Sequence, residues 1–288
     1  MRTNATATTV AGKPRYVLGH SDRELRRLRW QGGYWSEPTR RTLKEAGLKR
    51  GMRVLDLGCG GGDVSLLAAE IVAPEGSIVG VDRSPEAIGR AATRAHDEEL
   101  TNVSFRIGDI GDLLDVEGPF DAIIGRFVLM YLPDPAATLR RLQSLLEPDG
   151  IVAFVEMDVQ AAKSVPAVPF VHSALGWIVE TFRRAGVEGA MGPQVWRVLT
   201  DAGFVGVSNQ VWWEAVPPPA VDLTRLLSET VRSLLPAIEE LGVADRATVD
   251  IDTLAERLQA EVTAARATLV PPAIVGTWAR MPASSASS

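Results

Sequence analysis

Cysteine, histidine and tyrosine are scarce in this 288-residue chain, with one, three and three copies. The single cysteine, Cys59, allows no intramolecular disulfide and is too few for a cysteine-based zinc site, so the sequence reads as that of an intracellular, cytoplasmic protein. No apolar run reaches the roughly 18 residues of a membrane span. The opening MRTNATATTVAGKP carries no apolar stretch of signal-peptide length, and residues 1–13 and 282–288 are small, polar and patternless, as flexible chain ends are. Also missing are an internal repeat, a low-complexity block, a His/Cys/acid cluster at zinc spacing and a D-x-D-x-D-G calcium loop. No metal is expected. What remains, 46% hydrophobic and 23% charged, has the proportions of a globular protein of one large domain, or one domain with a lid.

The net charge of −6 points to no polyanionic partner, yet the charge is uneven. Residues 1–53 hold 13 basic and 4 acidic side chains. Arg23 to Arg29 and Arg40 to Arg53 read either as a patch for RNA or a phosphorylated substrate, or as a solvated helix face that balances the acidic remainder. The second reading is preferred, because no RNA-binding module accompanies the patch.

Ser21 followed by Glu24 is a capping box that opens a helix to about Gln31, and a second helix is expected from about Pro38 to Ala46. Strand-like and helix-like segments then alternate: strand 52–57, the loop Gly58-Cys59-Gly60-Gly61-Gly62-Asp63, a helix, strand 76–82, helix 84–96 with Ser84 as N-cap and Pro85 in its first turn, strand 102–108, strand 120–125, helix 136–146, a Pro148-Asp149-Gly150 turn, and strand 151–156. Strands joined by helical crossovers predict a doubly wound parallel sheet of the α/β class. Beyond residue 160 the pattern gives helices at about 168–185 and 193–202, a strand 205–216, a mostly helical stretch 221–268, and a last strand 274–280.

The first glycine loop departs from the G-x-G-x-x-G dinucleotide fingerprint. Asp56 stands two residues before Gly58, where a carboxylate repels a pyrophosphate and suits a cationic ligand group. Asp82 ends the second strand, the place of a ribose-binding acid in doubly wound folds, and Asp109 ends the third, with Ile110 beside it. Cys59, inside the loop, invites a nucleophile reading, but a small buried hydrophobe is the preferred role.

In order along the chain, VLDLGCGGG, VGVD, FRIGDI and FDAIIGRFVLMYLPDP followed by LEPDGIVAFVE resemble the motifs of class I S-adenosylmethionine-dependent methyltransferases, over about residues 50–158. The resemblance implies a Rossmann-like seven-stranded sheet with an antiparallel last strand and helical lid or cap elements. It implies S-adenosylmethionine as cofactor and S-adenosylhomocysteine as product, with the methionine moiety over Gly58 and Gly60, its amino group near Asp56, the ribose on Asp82 beside Arg83, adenine beside Asp109 and Ile110, and Arg126 at the border of cofactor and substrate. The N-terminal segment is similar to the lid of bacterial small-molecule methyltransferases, which adds Tyr16, His20 and Gln31, the last at the methionine carboxylate. The domain plan that follows is a lid at 14–47, a cofactor-binding core at 48–160, and substrate-binding helices with the last strands at 161–281.

Met130, Tyr131, Met157 and Trp177 are the expected substrate contacts. His172 and His20 are the candidate bases, with Glu156 and Asp158 as rivals. The expected reaction is methyl transfer to O or N of a small, partly hydrophobic or aromatic metabolite, of the kind made in secondary metabolism. A C-methyltransferase of a phosphorylated or aromatic small molecule, an RNA methyltransferase and a non-catalytic S-adenosylmethionine-binding subunit are the alternatives. A small molecule is the expected partner; nucleic acid is disfavoured, no membrane is expected, and a homodimer is left open.

Overall fold

Four apolar strand cores, Val54-Leu55, Ile78-Val79, Ile123-Ile124 and Val152 to Val155, are almost wholly buried, as parallel strands covered on both faces must be. The computed structural model describes residues 33–111 and 116–283. Its elements are α1 (Ser36–Glu45), β1 (Arg53–Leu57), α2 (Asp63–Val72), β2 (Ser77–Asp82), α3 (Pro85–Asp97), β3 (Val103–Ile107), β4 (Phe120–Arg126), α4 (Pro135–Leu142), β5 (Leu146–Asp158), β6 (Lys163–Val165), α5 (Pro169–Ala185), α6 (Met191–Asp201), β7 (Val205–Trp212), α7 (Val221–Glu240), α8 (Arg246–Val249), α9 (Leu254–Ala264), β8 (Thr268–Val270) and β9 (Ala273–Arg280). The helix expected before residue 32 and the residue 1–13 tail lie outside the described residues.

Seven strands form one sheet in the order β3-β2-β1-β4-β5-β9-β7. Strands β3 to β5 are mutually parallel, and β9 runs antiparallel to both β5 and β7. The doubly wound α/β sheet with an antiparallel last strand is thus present, with β9 inserted between β5 and β7, so that β7 forms the edge. The strand order reverses between β1 and β4, and at such a reversal the carboxyl ends of the strands open a crevice for ligands.

Local chemistry accounts for the helix starts. Ser84 caps α3 by accepting the Ala87 N–H at 3.1 Å, with Pro85 at the first position, and Asp134 caps α4 by accepting the Ala137 N–H at 2.8 Å. Helix α1 lies on the sheet, where Thr42 fills the space left by Gly276; a Cβ there would fall 2.0 Å from the threonine Oγ1. The 148–150 segment is an irregularity within β5 rather than a break before it. The register with β4 shifts at this end, and Asp149 takes a φ of 63°, so the turn chemistry survives inside the strand. The small antiparallel pair β6–β8 has no counterpart among the sequence expectations.

Candidate functional site

At the crevice between β1 and β4 lies a cavity of about 730 Å³, within the range of small-molecule sites. Its walls at one end come from the β1–α2 loop (Gly58 to Gly61 and Asp63), the end of β2 (Asp82, Arg83), α3, the segment after β3 (Asp109, Ile110) and the end of β4 (Arg126, Phe127). The glycines are there for backbone reasons. Gly58 has φ +62 and a Cβ would stand 2.7 Å from Val128 Cγ2, whereas Gly60 has φ +52 and nothing within 4 Å of such a Cβ. Gly60 therefore presents bare backbone to open space.

Asp82 accepts the Gly60 N–H at 3.0 Å through Oδ2 and the Ser84 N–H at 2.9 Å through Oδ1, which fixes the carboxylate at the cavity wall. Asp109 accepts the Gly111 N–H at 2.8 Å and lines the same wall with Ile110. Asp56 sits one layer behind. It is fully buried and absent from the lining, takes the Ser65 hydroxyl on Oδ2 at 2.5 Å, and leaves Oδ1 without a protein partner. Burial, against the Ser65 hydrogen bond and Arg126, pushes its pKa up to about 7. A cation brought over the loop would offset that cost.

Arg126 bridges Asp63 at 3.6 Å and donates to Thr39 Oγ1 at 3.2 Å. Arg94 holds the other side of Asp63 at 2.6 Å and donates to the Gly61 carbonyl at 2.7 Å. Burial pulls the Arg126 pKa down while Asp63 and Asp56 push it up. Cys59 is buried, and desolvation with the nearby Asp56 and Asp82 carboxylates pushes its thiol up. It is a thiol in this loop, without the thiolate a nucleophile requires.

The cavity continues from this polar end into an apolar chamber walled by Met130, Tyr131, Met157, Val159, one face of α5 (Val171, Leu175, Ile178, Phe182), one face of α7 (Leu223, Leu226, Leu227, Thr230) and the β8–β9 corner. Helical spacing decides which expected residues face it. His172 is a hundred degrees round α5 from Val171 and is exposed, and Trp177 packs edge-on against Phe170 at 6.3 Å; neither lines the cavity. Both expectations are corrected on that ground. Tyr16, His20 and Gln31 lie outside the described residues. Glu156 is also removed as a base, since it is fully buried, and Oε1 accepts the N–H groups of Val128 and Leu129 at 2.8 Å each. Asp158, the other rival, caps the short turn after β5 through Gln160 N–H at 3.0 Å.

Residues that the sequence did not single out are Trp35, Arg94, Lys163 and the α7 face. The i, i+3, i+4, i+7 spacing of Leu223, Leu226, Leu227 and Thr230 marks a buried helix stripe but not the cavity it covers. In the described part of the basic segment, Arg40, Arg41 and Arg50 pair with Glu70, Glu37 and Glu75, the behaviour of a solvated face. Among the described residues there is no group of His, Cys, Asp and Glu that could hold a metal ion, and no helix is long and apolar enough to cross a membrane.

Residues 48–184 match a family described as a methyltransferase domain. Over those residues the chain is similar to class I methyltransferases, whose cofactor is S-adenosylmethionine. It is similar to 2-phytyl-1,4-naphtoquinone methyltransferase of Synechococcus elongatus (36% identity over 121 residues, 41% of this chain and 51% of that protein). It is also similar to the aklanonic acid methyltransferase DauC of Streptomyces sp. strain C5 (34% over 125 residues, 41% of this chain and 54% of that protein). The chain spans about half the length of these relatives. Among solved structures, the YcgJ protein of Bacillus subtilis shares the fold with a TM-score of 0.54 at 17% identity, over 85% of this chain and 98% of that one.

The cavity fits the cofactor on the molecule's own terms: Gly60 opens on free space, Asp82 is pinned at the wall, and the buried Asp56 has an unpaired oxygen that a sulfonium or ammonium nearby would stabilise.

Proposed function

We propose that the chain is an S-adenosylmethionine-dependent methyltransferase that moves a methyl group onto O or N of a small, partly hydrophobic or aromatic metabolite. The observation that carries this reading is the continuity of one cavity, which has glycine loop and carboxylates at one end and an apolar chamber at the other. When bound, the cofactor supplies a methyl group on a positively charged sulfur, already a strong electrophile.

The chain's own part is then positioning and exclusion of water. Gly58 and Gly60 give backbone access, Asp82 with Arg83 serves the ribose, Asp109 and Ile110 serve the adenine, and Asp56 contributes negative charge beneath the loop. Arg126, held by Asp63 and Thr39, stands where the two halves of the cavity meet. Met130, Tyr131 and Met157 begin the substrate wall.

Calorimetric titration with S-adenosylmethionine and S-adenosylhomocysteine tests the cofactor half. Binding of both is expected, together with loss of binding in Asp82→Ala; no heat and no thermal shift overturns the reading. A radiolabelled methyl screen over metabolite classes tests turnover.

A further inference from the structure

The glycine loop has little of its own to hold it in place. Gly58, Gly60, Gly61 and Gly62 fall within five residues, with Gly58, Gly60 and Gly62 at positive φ, and glycine loses more freedom on ordering than any other residue. The loop's one side chain, Cys59, brings only its thiol to the Gly60 carbonyl at 3.9 Å, and a thiol is a weak donor. The anchors come from outside. Asp82 accepts the Gly60 N–H at 3.0 Å, which fixes the Cys59–Gly60 peptide plane. The Gly61–Gly62 plane is fixed at both ends: the Gly62 N–H donates to the Cys59 carbonyl at 2.9 Å, and the Gly61 carbonyl accepts Arg94 Nη1 at 2.7 Å. The same nitrogen donates to Asp63 Oδ1 at 2.6 Å. One guanidinium on α3 thus fastens the loop to the first turn of α2 and, through Asp63, to Arg126 at 3.6 Å. Between the two fixed planes, Gly60 and Gly61 line the cavity.

Resting on the function proposed above, we propose that Arg94 is a positioning residue for the methyl donor, holding the Gly61–Gly62 peptide in the orientation that the cofactor meets. The entropy of ordering the loop is then lost on folding and not on binding, and a preorganised loop binds its ligand more tightly. Two other roles are open to an arginine here, and each leaves a different trace. Direct contact with the ligand would favour the anionic carboxylate of the methionine moiety. A partly exposed ion pair with Asp63 and nothing more would act on stability alone.

The test uses the full chain, Arg94→Met, Arg94→Lys and two ligands: S-adenosylhomocysteine and its decarboxylated analogue, which keeps the ammonium and lacks the carboxylate. Fixing the backbone of one residue is worth about tenfold in affinity, so Arg94→Met should weaken both ligands by about that factor in calorimetric titrations of folded protein, each relative to the unaltered chain. Arg94→Lys keeps the charge and enough N–H groups for both bonds on a shorter arm, and should recover part of the loss. Without ligand, hydrogen exchange at the Gly60 and Gly62 amides should quicken in Arg94→Met. Unchanged affinity with a lowered melting temperature marks a structural ion pair and overturns the proposal. A loss confined to S-adenosylhomocysteine marks direct contact and overturns it too, as do loop amides that exchange no faster than in the unaltered chain. Failure of the cofactor reading is a separate result, since it shows as absent heat for both ligands in the unaltered chain while amide exchange without ligand still reads the hold of Arg94 on the loop.

Discussion

Glu156 is a carboxyl group that the fold keeps protonated at ordinary pH. Desolvation, opposed by the N–H groups of Leu129 and Val128, pushes its pKa up to about 8. Through Val128, whose side chain lies over Gly58, it ties the cavity wall after β4 to the glycine loop. Because the folded value lies above the ordinary carboxylate range, its stabilising contribution is complete below about pH 4 and is lost as pH rises through about 8. Asp56, raised to about 7, adds to the same fall. Denaturant melts should show stability dropping by about 6 kcal/mol between pH 5 and pH 9. Glu156→Gln keeps the accepting oxygen and should remove about half of the slope; an unchanged slope would mean that the carboxyl titrates elsewhere. Glu156→Ala leaves two buried N–H groups unpaired and should cost about 2–4 kcal/mol at every pH.

The two loop glycines separate a steric demand from an open approach. Gly58→Ala places a Cβ against Val128 at 2.7 Å and should lower stability by about 1–3 kcal/mol. Gly60→Ala meets nothing, so it should cost only about 1 kcal/mol for its positive φ. Its methyl group would stand in the cavity, and S-adenosylhomocysteine binding should weaken more than tenfold by calorimetry. If the two variants exchange these patterns, the cavity assignment at Gly60 is wrong.

At the scale of elements, the strand–loop–helix units were legible because each carries its own punctuation. Ser84 and Pro85 mark the start of α3, and the strand before it is a continuous apolar run. Ser84→Ala should lower the melting temperature by an amount equivalent to about 1 kcal/mol while leaving S-adenosylhomocysteine affinity intact, because the N–H that Asp82 accepts from residue 84 is backbone. Loss of affinity in that variant would mean that the cap and the proposed ribose site are coupled. The loop carboxylates were legible for the same local reason: Asp82 ends β2 and Asp109 follows the end of β3 by two residues. What the sequence left unread depends on distant neighbours. The strands β6 and β8 have three residues each, too short for any periodicity, and gain their pairing only when α5 to α9 bring them together. His172 and Trp177 were placed on the right helix but the wrong face, since the face of α5 that lines the cavity is chosen by its packing against α7, not by its own pattern.

At the scale of the whole molecule, the cavity is shared between two parts of the chain with different determinants. The end proposed for the cofactor is built from β1 to β4, where motif and fold coincide; the chamber is built mainly from residues 157–272, where apolar stripes of α5, α7 and the β8–β9 corner close over the sheet. Each half should therefore fail alone. Leu227→Trp puts a large ring into the chamber from α7, where Leu227 is 9% exposed and lines the cavity. It should cost about 1–3 kcal/mol of stability for overpacking, keep S-adenosylhomocysteine affinity within about twofold, and weaken the aromatic probe 1-naphthoate more than tenfold, as an apolar pocket does when its volume is filled. Asp82→Ala should give the opposite pattern, with the cofactor lost and naphthoate retained. If either substitution lowers both affinities equally in folded protein, cofactor and substrate share one set of contacts, and the division of the cavity at Tyr131 does not hold.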